Sequence, residues 1–309
     1  MRDLASVETQ RTGAPLSGVI ASEIDIAEGA EYAGATSTGS QPGGSPKRRK
    51  RTARKALMTV VLAIGLPIIL LVVWWILSAN SHSPYFPPLS KILDQFWKLW
   101  IIGPAKAQLV PSLSHLAIGY VGGSLIGIIS GVLLWRLPAV RRATSPVVYF
   151  LYVLPAPALL PALIAIFGIG EMRQIALIAF GAIWPTLLNT LDGMRGVDQV
   201  KFDSAKAMRL SPVRTVWSVV LPGASPQIAA GLRAGLQVSI ILMVISEMVA
   251  STGGIGYFIL QSQANLALVA MWTGILMLAI IGTVLNYLFV GVEHRVLAWF
   301  YGSRALEGR

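Results

Sequence analysis

Apolar residues in this chain arrive in long blocks rather than at every third or fourth position. Six blocks stand out, at 56–79, 111–135, 146–168, 173–191, 229–250 and 268–291. Built as helices rising 1.5 Å per residue, all six are long enough to cross about 30 Å of hydrocarbon. The pattern predicts an all-α membrane protein with six transmembrane helices. Between the blocks lie Asn80–Val110, Arg136–Ser145, a tight Gly168-Ile169-Gly170-Glu171 turn, Asp192–Ile228 and Ser251–Ala267.

Composition agrees with the pattern. Of 309 residues 54% are hydrophobic and only 13% charged, whereas soluble domains carry about one quarter charged residues. The formal net charge of +11 would suit nucleic acid or anionic lipid, and its placement decides between them. Seven basic residues lie within 47–55, directly before the first apolar block. A cluster there holds its flank on the cytoplasmic side and is drawn to the headgroups of the lipid bilayer. Binding nucleic acid would instead need a folded basic face with groove-reading or stacking residues, so no nucleic-acid partner is expected.

With the N-terminus inside, 21 of the 25 Lys and Arg residues fall on the cytoplasmic side, leaving Lys91, Lys98, Lys106 and Arg173 outside. Six spans with both termini cytoplasmic satisfy the positive-inside rule. Residues 1–46 are rich in Gly, Ser, Ala, Thr and acidic residues and are expected to be disordered. The expected division is a basic-ended cytoplasmic tail, 1–55, and a transmembrane domain, 56–309. The first apolar block is 24 residues long and starts far from Met1, so it reads as a retained span rather than a cleaved signal.

Candidate chemistry is sparse. There is no cysteine, and His82, His115 and His294 are scattered, which suggests no metal site. No phosphate-cradling G-x4-G-K-[ST] loop occurs, nor H-E-x-x-H, nor G-x-S-x-G. The chain is therefore not expected to be an enzyme or to hold a cofactor of its own.

Three features inside the blocks bear on mechanism. Gly119, Gly123, Gly127 and Gly131 repeat every four residues, giving a face without Cβ atoms against which a neighbouring helix can pack closely. Pro155, Pro157 and Pro161 should kink or interrupt the third block. A broken helix at membrane depth suits a translocation path or a merely structural bend. Glu247 is the one carboxylate within a block. It is expected to line a cavity, to bond another helix, or to reach headgroup water.

The segment 192–228 is polar and apolar by turns. Helix-forming residues precede Ser211-Pro212, a pair suited to a helix start. Val213, Val216, Trp217 and Val220 then recur at helical spacing, and Pro222 is expected to stop the run. Two short amphipathic helices joined by a sharp turn are predicted here. Such a hairpin suits a groove in another protein, or the membrane surface.

This segment resembles the cytoplasmic loop of ABC importer permeases, whose pattern is E-A-A-x3-G-x9-I-x-L-P. Asp203 stands at the Glu, Ser204 and Ala205 at the Ala pair, Arg209 at the Gly, Val219 at the Ile, and Leu221-Pro222 at the end. Arg209 departs from the pattern. If the turn needs a left-handed residue, Arg costs about 1 kcal/mol or more there. The stretches from Ser83 to Ile92, Phe167 to Glu171, Trp184 to Thr190 and Val249 to Tyr257 are similar to the nitrate, sulfonate and taurine branch, the likeness running over about residues 80–300.

The resemblance implies a multi-pass protein of the bacterial plasma (inner) membrane, two copies of which form one pore for a small polar solute, an anion such as a sulfonate or nitrate. It implies a separate ATP-binding cassette ATPase holding the ATP, coupled through Asp203–Pro222, and a periplasmic solute-binding protein docking outside. Pro155, Pro157 and Glu247 are the candidates for the path. The alternative is an ion-coupled secondary transporter, for which only Glu247 and His115 are available as carriers.

Overall fold

The computed structural model describes residues 65–66, 68–69, 71–79, 81, 83 and 85–300. The expected tail, its basic run and residues 56–64, 67 and 70 of the first apolar block lie outside them. The account below concerns the unit 67–309.

All regular structure among the described residues is helical. After the helical residues 71–78 (α1) come α2 (Leu89–Phe96), α3 (Leu109–Arg136), α4 (Pro138–Val153), α5 (Leu160–Phe167), α6 (Glu171–Arg195), α7 (Gln199–Ala207), α8 (Pro212–Thr215), α9 (Leu221–Met248), α10 (Ile255–Ala264) and α11 (Leu268–Val296). Four helical stretches are long and apolar enough to cross a membrane, and α4 with α5 makes a fifth if that bent pair counts as one span. Six continuous spans are therefore not what the described residues contain.

The third block is interrupted at its prolines, as expected, but its helix begins earlier than read. Helix α4 starts at Pro138, inside what read as a connecting segment. It ends where Leu154 turns extended ahead of Pro155, because proline disfavours helical geometry in the residue before it. A short 3-10 turn, Ala156–Leu159, leads into α5 at 93° to α4.

At the centre α6 lies between α3 and α9. The glycine stripe of α3 faces α6. Cβ atoms at Gly119, Gly127 and Gly131 would lie 2.9 Å from Ile175 O, 2.7 Å from Ile183 O and 2.8 Å from Thr190 Cβ. On the other side, Gly231 and Gly235 of α9 approach Pro185 O and Ala182 O of α6. The small residues thus bring three backbones close enough for dispersion contacts along their length. Leu177, Ile178, Leu242 and Met243 fill the space between them.

Two helices arise from connections that lack a long apolar block. Helix α2 buries Leu89 and Ile92, and Trp100, further along its axis, is buried in the π-helical continuation Trp97–Ile102. In the sequence this stretch reads as a connection. Helix α10 follows Gly254, whose φ of 108° is open to glycine but rare for other residues. Trp100 joins the two peripheral pieces to α11, donating to Thr273 Oγ1 at 3.1 Å and meeting the Phe258 ring edge-on at 5.1 Å.

Candidate functional site

The segment after α6 folds as a capped helix and a tight turn. Asp198 caps α7, its Oδ1 accepting from Val200 N at 3.0 Å, as expected at a helix start. At the far end Leu210 N donates to Ala205 O and Arg209 N to Lys206 O. This pair of bonds is a Schellman motif, whose C′ residue is left-handed and usually glycine. Arg209 occupies that position with φ 53°. The departure from the Glu-Ala-Ala pattern therefore falls where the backbone does need a left-handed residue.

The chain then re-enters a helix as read. Ser211 Oγ accepts from Arg214 N, and Pro212 takes the first turn of α8. The expected stop at Pro222 does not occur. Helix α8, a π-helical turn (Val216–Val220) and α9 run on as one 37-residue stretch, Pro212–Met248. A proline lacks an N–H and crowds the carbonyl four residues back. The wide turn before it, with Leu221 N bonded to Val216 O, opens the backbone there and accommodates the ring.

Of the residues matched to the pattern, Asp203, Ser204, Arg209 and Pro222 are exposed, Val219 and Leu221 half-buried, and Ala205 buried. Ala205 therefore seats α7 rather than offering a surface. Phe202 stacks on Trp135 of α3, with ring centroids 6.3 Å apart, and packs beside Met194 and Val216. Arg136 donates to Pro212 O at 3.2 Å. On the open side Val200 and Met208 are 66% and 64% exposed, an apolar surface on an otherwise polar helix.

Pro155 and Pro157 lie exposed at the α4–α5 bend, whose Ala156 and Leu159 pack against the core cluster containing Met243 of α9. Helix α4 buries none of its side chains, and Tyr149, Phe150 and Tyr152 are exposed on it.

Glu247 is 1% exposed and does not reach open space. Its Oε2 accepts from Gly256 N at 2.9 Å, so the carboxylate meets the N-terminal turn of α10, where a negative charge is favoured. A Cβ at Gly254 would meet that carboxylate. Of the readings made from sequence, the bond to another helix describes its position.

Arg173 is fully buried in the first turn of α6, a role the sequence did not suggest. It donates to Ser246 O at 3.3 Å and Ala250 O at 3.1 Å, bonding a last-turn carbonyl of α9 and one in the turn beyond it, with a cation at the negative end of the helix. Gln174 donates to Ser251 Oγ, Gly254 N to Gln108 Oε1 and Ile255 N to Ser112 Oγ. The turn 249–255 is thus tied to α6, to α3 and to Gln108 just before α3. Beside it is a cavity of about 330 Å³ reached by His115, Glu171 and Gln174, with His115 Nε2 3.9 Å from Glu171 Oε2. The signal for this network was the polar run Ser251-Thr252-Gly253-Gly254 between two apolar helices.

The same architecture occurs in known proteins. The sequence model of the family described as "Binding-protein-dependent transport system inner membrane component" matches residues 123–298. The taurine transport system permease protein TauC of Escherichia coli (strain K12) is 32% identical over 249 residues, covering 78% of this chain and 90% of TauC. The nitrate import permease protein NrtB of Synechocystis sp. is 28% identical over 263 residues, covering 82% of this chain and 95% of NrtB. A solved structure of the MetNI methionine ABC transporter in an inward-facing conformation shares the fold, with a TM-score of 0.53 at 23% identity over 65% of this chain and 96% of that one. The match over more than half of its length and the overlap with TauC make this chain a multi-pass inner-membrane protein of the binding-protein-dependent transport family.

Proposed function

We propose that this chain is the permease subunit of an ABC importer, that two copies enclose one pore for a small polar anion, and that α7 with its turn carries the drive from a separate ATPase. An extracytoplasmic solute-binding protein delivers the solute. ATP is bound and hydrolysed by the partner subunit, because no phosphate-cradling loop is present in this sequence.

The observation that carries the reading is α7 itself. It is anchored through Ala205 and the Phe202–Trp135 stack, and it leaves Val200 and Met208 bare. Exposed apolar side chains on a short, capped helix suit a groove in a partner. A displacement of α7 reaches α8 through the turn at Arg209 and passes from α8 into the membrane along one helix, residues 212–248. Alternating access then follows as two packings of α9 and the bent α4–α5 pair.

Orientation follows from charge. Arg136, Arg141, Arg142, Arg195, Lys201, Lys206, Arg209 and Arg214 all belong to the end of the bundle where α3 ends and α9 begins, and this end is cytoplasmic. The cavity beside Glu171 then faces outward. The unburied aromatic face of α4 supports a second copy of this chain across the pore. The taurine and nitrate relatives support a small anion as solute.

The test is ATP-driven uptake in vesicles carrying the complete importer, with Asp203→Lys in the exposed face of α7. We expect transport and co-purification of the ATPase to be lost while the permease stays folded. Normal uptake by the variant would refute the assignment of α7.

A further inference from the structure

We propose that the cytoplasmic end of α3 and the start of the 212–248 helix form a binding site for an anionic phospholipid, one acyl chain lying in the groove between them and the phosphate meeting Arg136. The placement in the inner leaflet rests on the orientation proposed above. The lipid site itself does not depend on the coupling role of α7.

The groove is a cleft of about 390 Å³. One wall is the last three turns of α3, with Ile129, Val132 and Leu133, and the other carries Val213 and Trp217. Ile129, Leu133, Val213 and Trp217 are all exposed. In water this surface would be costly, at about 25 cal/mol per Å² of apolar area left wet. Helix α3 is 28 residues long, about 42 Å at 1.5 Å per residue. The groove therefore falls within the half of the bilayer next to Arg136, where an acyl chain is available to fill it.

Charge at the mouth selects the headgroup. The Arg136 guanidinium gives one hydrogen bond, to Pro212 O, and no carboxylate pairs with it among the described residues. The same arginine borders a second cleft, of about 570 Å³, with Lys206 on its rim. Arg214 follows one residue after Val213 and is exposed. Of these cations only Lys206 is paired, with Asp203 at 3.6 Å. An apolar groove in the inner leaflet ending at an unpaired arginine matches an acyl chain joined to an anionic phosphate, since basic pockets between helices on the cytoplasmic side attract such headgroups. Trp217 at the groove edge suits the interface, where its ring is amphipathic.

The test uses the full chain in its complete importer, in nanodiscs of phosphatidylcholine with or without one quarter phosphatidylglycerol. The readouts are native mass spectrometry for retained lipid and thermal melting for stability. Wild type is expected to retain phosphatidylglycerol in preference to phosphatidylcholine and to melt higher with it. Arg136→Gln should weaken that preference about fivefold, the weight of one interfacial cation, and melt like wild type in phosphatidylcholine alone. Leu133→Trp, which fills the groove without touching the charge, should also reduce retention. Equal retention of the two lipids by wild type would overturn the proposal. So would an unchanged preference in Arg136→Gln, or unchanged retention in Leu133→Trp, which would reduce the effect to general surface charge. If the isolated permease holds the lipid and the complete importer does not, the groove belongs to a protein interface and the lipid assignment fails.

Discussion

Adjacent glycines in α3 should respond to the same substitution with opposite signs. A Cβ at Gly123 would fall on the backbone of Ala179, touching its O, Cα and C atoms, whereas a Cβ at Gly122 meets nothing within 4 Å. Backbone cannot swing aside as a long side chain can, so Gly123→Ala must part α3 from α6. Forced overpacking of this kind costs about 1–3 kcal/mol. Gly122→Ala gains helix propensity of up to about 1 kcal/mol and meets no obstacle. At about 2–4 °C per kcal/mol for a domain of this size, the two variants should melt about 2–16 °C apart. The assay is a temperature series in mild detergent followed by size exclusion, with wild type between the variants. Equal melting of the two, or a lower value for Gly122→Ala, would refute the close α3–α6 packing.

Arg209→Gly should relieve the left-handed turn after α7. The cost of about 1–2 kcal/mol for an L-residue there is offset in part by about 0.5–1 kcal/mol of added chain entropy for glycine. Amide exchange at Leu210, which donates to Ala205 O, should slow by about two- to fivefold, and unchanged exchange would count against the strain. Arg173→Met removes two charge-assisted bonds, to the buried Ser246 carbonyl and the part-buried Ala250 carbonyl, with an expected loss of about 3 kcal/mol, read as a fall in melting temperature. Glu247→Gln keeps an acceptor for Gly256 N and should transport normally with a small loss of stability. Abolished transport with an unchanged fold would place Glu247 on the translocation path.

Much of this was legible because membrane helices have long, one-sided signals. The apolar blocks at 111–135, 173–191 and 268–291 fall within α3, α6 and α11. The glycine spacing of α3 marked a close helix contact, and the proline cluster marked the break after α4. The turn before Ser211-Pro212 was legible, but its left-handed residue at Arg209 was signalled only through the resemblance, since arginine gives no local hint of such a backbone. Three things were not legible, each for a physical reason. Pro222 reads as a stop in sequence because the π-helical turn that accommodates it leaves no compositional trace. Helix α10 has no side-chain cap of its own and takes its carboxylate from Glu247, nine residues earlier in another helix. Arg173 reads as an outside charge, yet it is wholly buried against carbonyls more than 70 residues away. Short-range pattern finds the helices, while the bonds that fix their ends are made between distant segments.

The central claim, that α7 and its turn sit against the ATPase, is best tested by cross-linking. The chain has no cysteine, so single cysteines at Val200, Asp203 or Met208 report without background. Paired with cysteines lining the ATPase cleft, they should cross-link in membranes, with yields that change when ATP is added. A cysteine at Val284, exposed on α11, should not cross-link. Absence of cross-linking across 199–211, or equal yields at Val284, would contradict the account.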